Sequence, residues 1–222
     1  MGKLLIVANL KSYKTKIEAK EWLDAFAKIK EIENNLNEKE IIICPSFQLL
    51  FMFSSYAGDK LLPVKIGAQN VSPFDEGAYT GEVSARQIKD FADFVLIGHS
   101  ERRKNFGETD DMLSKKTETS LKYGLTPIFL VQGKDNLIPR GAEIIAYEPV
   151  FAIGSGNPDT PENADQVASS LKSKNDTYKI LYGGSISPEN VRSFTGMPSI
   201  SGVLVGSASL NPEEFIKIIQ NA

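Results

Sequence analysis

Eight short apolar runs, spaced out by amphipathic stretches, restrict what this chain can fold into more than any other feature of it. They are Leu4–Ala8, Ile41–Cys44, Val64–Ala68, Phe94–Ile97, Pro127–Val131, Ile144–Tyr147, Ile180–Tyr182 and Val203–Val205. Each has the length of a strand, and a run without polar alternation suits a strand covered on both faces. Between them come segments with helical spacing: Ala19, Trp22, Leu23 and Phe26, then Leu49–Phe53, then a helix from about Ser84, then Met112–Tyr123. Three later helices carry start signals, Thr160-Pro161-Glu162, Ser187-Pro188-Glu189 and Asn211-Pro212-Glu213, each a capping side chain before a proline. Strands alternating with helices pair in parallel through right-handed crossovers. The expectation is an α/β fold, a closed (β/α)8 barrel formed by residues 1–222 as a single domain. A doubly wound open sheet is the alternative, but no G-x-G-x-x-G turn follows the first strand.

One crossover is too short for the pattern. Only twelve residues separate Val131 from Ile144, and Gly133, Pro139 and Gly141 are among them. The helix between strands five and six is therefore expected to be shortened or absent. Leu137 and Ile138 are the only large apolar residues there and are expected to fold inward as a partial plug. A groove left beside them could recruit a further subunit.

In such a barrel the chemistry gathers at the C-terminal ends of the strands. Those ends carry Asn9 and Lys11, then His99, then Glu148, then two glycine-rich turns. A fixed cation, an imidazole and a carboxylate suffice for proton transfer beside a carbonyl. Each also has a plainer reading: a surface lysine, an interior histidine with its hydrogen bonds satisfied, a solvated loop carboxylate. Lys11 could equally form a Schiff base. After Glu148, Pro149 stops the strand, and Val150, Phe151, Ala152 and Ile153 lead into Gly154-Ser155-Gly156. A rigid start, an apolar middle and a flexible finish make a lid able to close over a small ligand. Tyr182-Gly183-Gly184-Ser185 and Val205-Gly206-Ser207 expose backbone N–H groups ahead of helices, which suits an anion such as phosphate.

Composition narrows the partners. With one histidine and one cysteine, the chain offers no metal-ligand cluster and no intramolecular disulfide, so no metal is expected. The net charge of -3 and the lack of a basic run disfavour nucleic acid and anionic membranes. Leu4–Ala8 is too short to span a bilayer and lacks the makeup of a signal peptide, so a cytoplasmic protein is expected.

Asn9-Leu10-Lys11, Gly67-Ala68-Gln69-Asn70, Gly77-Ala78-Tyr79-Thr80-Gly81-Glu82, Gly98 to Arg103, Ala146 to Gly156, Tyr182 to Ser185 and Leu204-Val205-Gly206 together resemble the motifs of triosephosphate isomerases over nearly the whole chain. The resemblance implies a TIM barrel and a cofactor-free aldose–ketose isomerase of glycolysis and gluconeogenesis. It would interconvert dihydroxyacetone phosphate and D-glyceraldehyde 3-phosphate through an enediolate. It further implies that Glu148 shuttles the proton, with Ile153 and Leu204 closing over it. His99 would polarise the carbonyl, Lys11 and Asn9 would stabilise the enediolate, and Glu101 would orient the site from behind. Backbone N–H groups of Gly154, Ser185, Gly206 and Ser207 would hold the phosphate, and Ser185 and Tyr182 would latch the lid. The Gly77–Glu82 loop would be the finger of a homodimer, with Thr80 supporting Asn9 and Lys11 of the neighbouring subunit.

The chain departs from the family at Phe151 and Ser155, which stand for Trp and Thr, and at Ser207, which stands for a second glycine. Leu130-Val131-Gln132-Gly133 replaces a Cys-containing turn ending in Glu, and Asn157-Pro158-Asp159 replaces the usual lid hinge. Two other classes compete with the isomerase: a Schiff-base aldolase using Lys11, and a silent barrel that only binds sugar phosphates.

Overall fold

The computed structural model describes residues 2–31, 36–152, 154 and 156–222. Its eight strands are β1 (Leu4–Asn9), β2 (Lys39–Cys44), β3 (Val64–Ala68), β4 (Phe94–Ile97), β5 (Thr126–Val131), β6 (Ile144–Tyr147), β7 (Lys179–Tyr182) and β8 (Ile200–Val205). They pair in parallel in sequence order, and β8 returns to β1 with Leu5 opposite Gly202, which closes the barrel. Side-chain alternation explains the unbroken apolar runs. Leu5 and Val7 join Ile42, Leu96, Ile128, Leu130, Leu181 and Leu204 in one cluster within the barrel. Ile6 and Ala8 join the other, larger cluster with Trp22, Phe26 and Phe215 from the surrounding helices.

The helices are α1 (Lys16–Phe26), α2 (Leu50–Asp59), α3 (Ala85–Lys89), α4 (Ser100–Phe106), α5 (Asp110–Lys122), α6 (Pro161–Lys172), α7 (Val191–Thr195) and α8 (Pro212–Asn221). Thr160 and Asn211 cap α6 and α8 ahead of a proline, as their sequences predict. Ser187 does not start a helix. Its N–H donates to Asn190 Oδ1 at 2.9 Å and its carbonyl accepts from the N–H of Val191 at 3.1 Å, so 187–190 forms a turn and α7 begins at Val191. Proline after a serine is equally a turn signal, and here the Asn190 side chain decides for the turn.

Between β5 and β6 the described residues contain no helix, as the short crossover requires. Asn136 Oδ1 accepts the N–H groups of Gln132 and Gly133, both at 2.9 Å, and ties the crossover into a tight turn. Gly141, in the left-handed region at φ 86, lies so close to α5 that a Cβ there would meet Leu121 Cδ1 at 2.6 Å. The inward plug is only half present. Ile138 packs against the core, but Leu137 is 54% exposed, and the buried Pro139 and Ala142 take its expected place. The turn held by Asn136 reverses the chain just before Leu137 and leaves that side chain on the outer face. Ile138→Asp should therefore lower stability by about 1–3 kcal/mol, and Leu137→Asp by no more than about 0.5 kcal/mol. Urea denaturation midpoints of the two variants check this, and equal losses would contradict it.

Candidate active site

Asn9 ends β1 almost fully buried, and its Oδ1 accepts the N–H of Lys11 at 3.0 Å. That turn holds Lys11 at φ 50, a left-handed conformation that costs a residue with a Cβ about 1–2 kcal/mol. Gln69 helps to maintain it, since Nε2 donates to both the Lys11 carbonyl and the Cys44 carbonyl at 2.8 Å. The lysine side chain then crosses the barrel mouth, where Nζ meets Glu101 Oε1 at 2.6 Å. Strain held in place by buried hydrogen bonds is a mark of functional positions.

Gly98, at φ 81, turns the chain from β4 into α4, and His99 caps that helix by accepting the Glu101 N–H on Nδ1 at 3.2 Å. An accepting Nδ1 assigns the ring hydrogen to Nε2. Nε2 faces Glu148 Oε1 at 3.4 Å. Burial pushes the imidazole pKa down to about 4, helped by Lys11 and Arg102 and opposed by Glu101 and Glu108. The ring is therefore a neutral donor near pH 7.

Glu148 follows β6, with its N–H on the Val131 carbonyl at 2.8 Å and its side chain almost wholly buried. Burial raises its carboxyl to about 8, while Lys11 and the Ser100 N–H pull the other way. Among the described residues Oε2 has no hydrogen-bond partner. On a residue that lines the cavity beside His99, this unpartnered oxygen is placed to accept a proton. The space around it depends on Gly183, where a Cβ would meet Glu148 Cγ at 2.9 Å.

The two glycine-rich turns complete the mouth. Ser185 takes a left-handed φ of 49, donates its hydroxyl to the Ala152 carbonyl at 2.5 Å and is held through its own carbonyl by Asn190 Nδ2 at 3.0 Å. Gly206 precedes a 3-10 helix, Ser207–Leu210, so Ser207 heads a helical turn and its backbone is not in the left-handed region that would require glycine. A cavity of ≈ 490 Å³ results, lined by Asn9, Lys11, His99, Glu148, Gly154, Ser185, Leu204, Gly206 and Ser207 among others. Glu101 does not line it and touches it only through Lys11 and His99. Of the lid, Val150–Ala152 forms a 3-10 turn with Val150 and Phe151 exposed and Ala152 buried, and Gly154 and Gly156 have positive φ. Ile153 and Ser155 lie outside the described residues, so the expected Ile153–Leu204 closure is represented by Leu204 alone.

Sequence reasoning passed over Asn190 and the role of Gly183 as a spacer, and it named Gln69 only within a motif, without the bonds it makes. Gln69 and Gly183 act on residues far away in the chain, while Asn190 acts on Ser185 and Ser187 close by, and only the two glycines of the Tyr182–Ser185 turn gave a local signal. It also missed the buried group behind His99, where Glu108 pairs with Arg102 at 2.6 Å and with Lys116, and Lys116 bonds Asn70 at 2.7 Å. No cluster of three or more His, Cys, Asp or Glu side chains among the described residues could hold a metal ion. No described helix is long and apolar enough to cross a membrane.

The family profile described as Triosephosphate isomerase matches residues 4–143 and 134–222. The two matches overlap within the crossover that lacks its helix. Similar proteins include triosephosphate isomerases of Dictyoglomus turgidum, 37% identical over all of both chains, and Trichodesmium erythraeum, 38% identical over 99% of each. That of Aquifex aeolicus is 39% identical over 97% of this chain and 98% of its own.

Proposed function

The chain belongs to the triosephosphate isomerase family and is an isomerase of triose phosphates, and from that premise we propose how its residues divide the work. Glu148 removes a proton from the carbon beside the substrate carbonyl and returns it to the neighbouring carbon. The neutral His99 donates from Nε2 to the carbonyl oxygen, and the Lys11 ammonium stabilises the enediolate as charge grows on it, with Asn9 alongside. Glu101 acts from behind by fixing Lys11 Nζ and the His99 ring. The phosphate sits at the N–H groups of Gly154, Ser185, Gly206 and Ser207, and residues 149–156 close over it. The observation that carries this reading is the meeting of three strand ends: Glu148 Oε1 faces His99 Nε2 at 3.4 Å, and Lys11 lines the same cavity.

A coupled assay that follows dihydroxyacetone phosphate to glyceraldehyde 3-phosphate tests it directly, and no turnover would end it. The aldolase reading is disfavoured by the ion pair that commits Lys11 Nζ to Glu101. Borohydride with dihydroxyacetone phosphate should trap no adduct on Lys11.

The pH profile follows from the same groups. Glu148 must be ionised to accept a proton, and its carboxyl is raised to about 8, so kcat/KM should rise with pH through the range above ordinary carboxylates. His99 must be neutral, and with a pKa near 4 it adds no acid limb between pH 5 and 8. A limb near 6.5 that vanished in His99→Asn would contradict the assignment.

The 222 residues act as one barrel unit in the cytoplasm, on a small anionic substrate, without nucleic acid or membrane. The active form is a homodimer. Every residue of Gly77–Glu82 is exposed in the protomer, and the loop is braced by stacking of Tyr79 on Phe74 at 4.3 Å, which suits a finger inserted into a second copy. Any association beyond the dimer would use the outer face near the exposed Leu137.

A further inference from the structure

Ser209 lies behind the Gly206-Ser207 turn that follows β8. It is fully buried, it does not line the cavity, and no step proposed above uses it. Its hydroxyl donates to the Gly206 carbonyl at 2.7 Å, and its N–H donates to the same oxygen at 2.9 Å. The Asn9 carbonyl stands farther from the hydroxyl, at 3.4 Å. On its other side, the Ser209 carbonyl accepts Trp22 Nε1–H from α1 at 3.0 Å. Trp22 is the chain's only tryptophan and is buried, its ring stacked on Phe26 at 4.8 Å and tilted against Phe53 at 5.8 Å. An indole N–H can only donate, and a buried one needs an acceptor, so the bond to Ser209 fixes both partners.

The consequence lies in a single peptide plane. A trans peptide is flat, so the C=O of Gly206 and the N–H of Ser207 point in opposite directions. Two donors from Ser209 draw that carbonyl to the back of the turn, and the Ser207 N–H then faces the cavity that Gly206 and Ser207 line. Glycine alone would let this peptide rotate, and Gly206 already sits at φ -93 and ψ -102, away from the regular helix and strand conformations. We infer that Ser209 is a positioning residue for the substrate phosphate, aiming the Ser207 N–H, and that Trp22 holds Ser209 in place from α1. This rests on the proposed phosphate site at Ser207. The chain carries a serine where its relatives carry a second glycine, and the hydroxyl of Ser209 supplies the fixed orientation that the turn's own residues do not. N–H groups set before the anion arrives stabilise it without reorganising, whereas a turning peptide must first be ordered. Lys11 approaches the same turn, since a Cβ on Gly206 would lie 3.6 Å from Lys11 Cε.

The test uses full-length protein, with dihydroxyacetone phosphate as substrate and inorganic phosphate as a competing probe. Ser209→Ala removes one of the two bonds on the Gly206 carbonyl and should raise both KM and the inhibition constant of phosphate several-fold. Ser209→Thr, which keeps the hydroxyl, should restore most of both. Trp22→Phe keeps an aromatic ring without the N–H and should shift the same two constants in the same direction. The double variant should be no worse than Ser209→Ala, because both changes act through one peptide. Deuterium exchange into phosphate-free D-glyceraldehyde, followed by NMR, should fall far less than turnover of the phosphorylated substrate. Equal slowing of both substrates would mean a general loosening of the barrel and would overturn the positioning role. An unchanged inhibition constant for phosphate would overturn it too, and Trp22→Phe decides alone if Ser209→Ala does not fold. Absence of isomerisation in the unmodified protein would overturn the functional reading itself, so the two failures are distinguishable.

Discussion

Exchanging Glu148 for Asp should lower kcat by roughly 100-fold and leave the barrel folded. Removing one methylene withdraws the carboxylate by about 1 Å, and displacement on that scale costs about 10²-fold in a positioned reaction. The fold tolerates the change because Glu148 contributes its N–H to Val131 through the backbone, which Asp retains. Oε2 makes no hydrogen bond that the shorter side chain would forfeit among the described residues. Turnover at saturating substrate, with circular dichroism as the folding control, measures it. Ordinary turnover would mean that another group takes the proton. A fall in melting temperature matching the fall in activity would assign Glu148 a structural role.

Thr80→Arg should give the second large effect, acting between the subunits of the proposed homodimer. The loop around Thr80 is solvent-exposed in the protomer, so an arginine there does not disturb the isolated barrel. Buried in a dimer without a partner charge it would cost on the order of 3–5 kcal/mol. Each 1.4 kcal/mol is about tenfold in Kd, so dissociation should strengthen by at least two powers of ten. Activity should fall with it, because in the proposed dimer Thr80 would support Asn9 and Lys11 of the neighbouring subunit. Sedimentation velocity and the coupled assay, run on one sample across a dilution series, give both readouts. A monomer with full activity would remove the cross-subunit support, and an unaltered dimer would remove the finger from the interface.

The sequence made the barrel legible because each strand is covered on both faces. Leu5 and Val7 point one way and Ile6 and Ala8 the other, so the runs carry no polar interruption. Strand starts were less visible. Lys39 and Glu40 in β2 extend their strand because neighbours pair with them, as Leu4 does with Lys39, although their side chains break the apolar run; in β8, Ile200 pairs with Ile180 but is cut off from the run by Ser201 and Gly202. Local rules failed at Ser187 and Leu137 for a common reason. In each case an asparagine, Asn190 or Asn136, captures backbone N–H groups and turns the chain. At the site, the strand-end residues Asn9, Lys11, His99 and Glu148 were readable from position alone. The left-handed backbones of Lys11 and Ser185 and the spacer at Gly183 depend in part on distant segments, reached through Gln69, Ala152 and Glu148, and left little local trace.

His99 is the chain's only histidine, and it lies between Lys11 and Glu148 with its ring almost hidden from water. The molecule therefore carries a built-in magnetic-resonance reporter. Imidazole carbon and nitrogen signals from uniformly labelled protein arise from one ring, and no assignment step separates the site from the background. They should report the neutral Nε2–H tautomer from pH 8 down to about 5, since the ring does not take up a proton until near 4, with only the smaller displacement that protonation of the facing Glu148 imposes. Substrate analogues that approach Nε2 would move those lines, and binding elsewhere on the barrel would leave them in place.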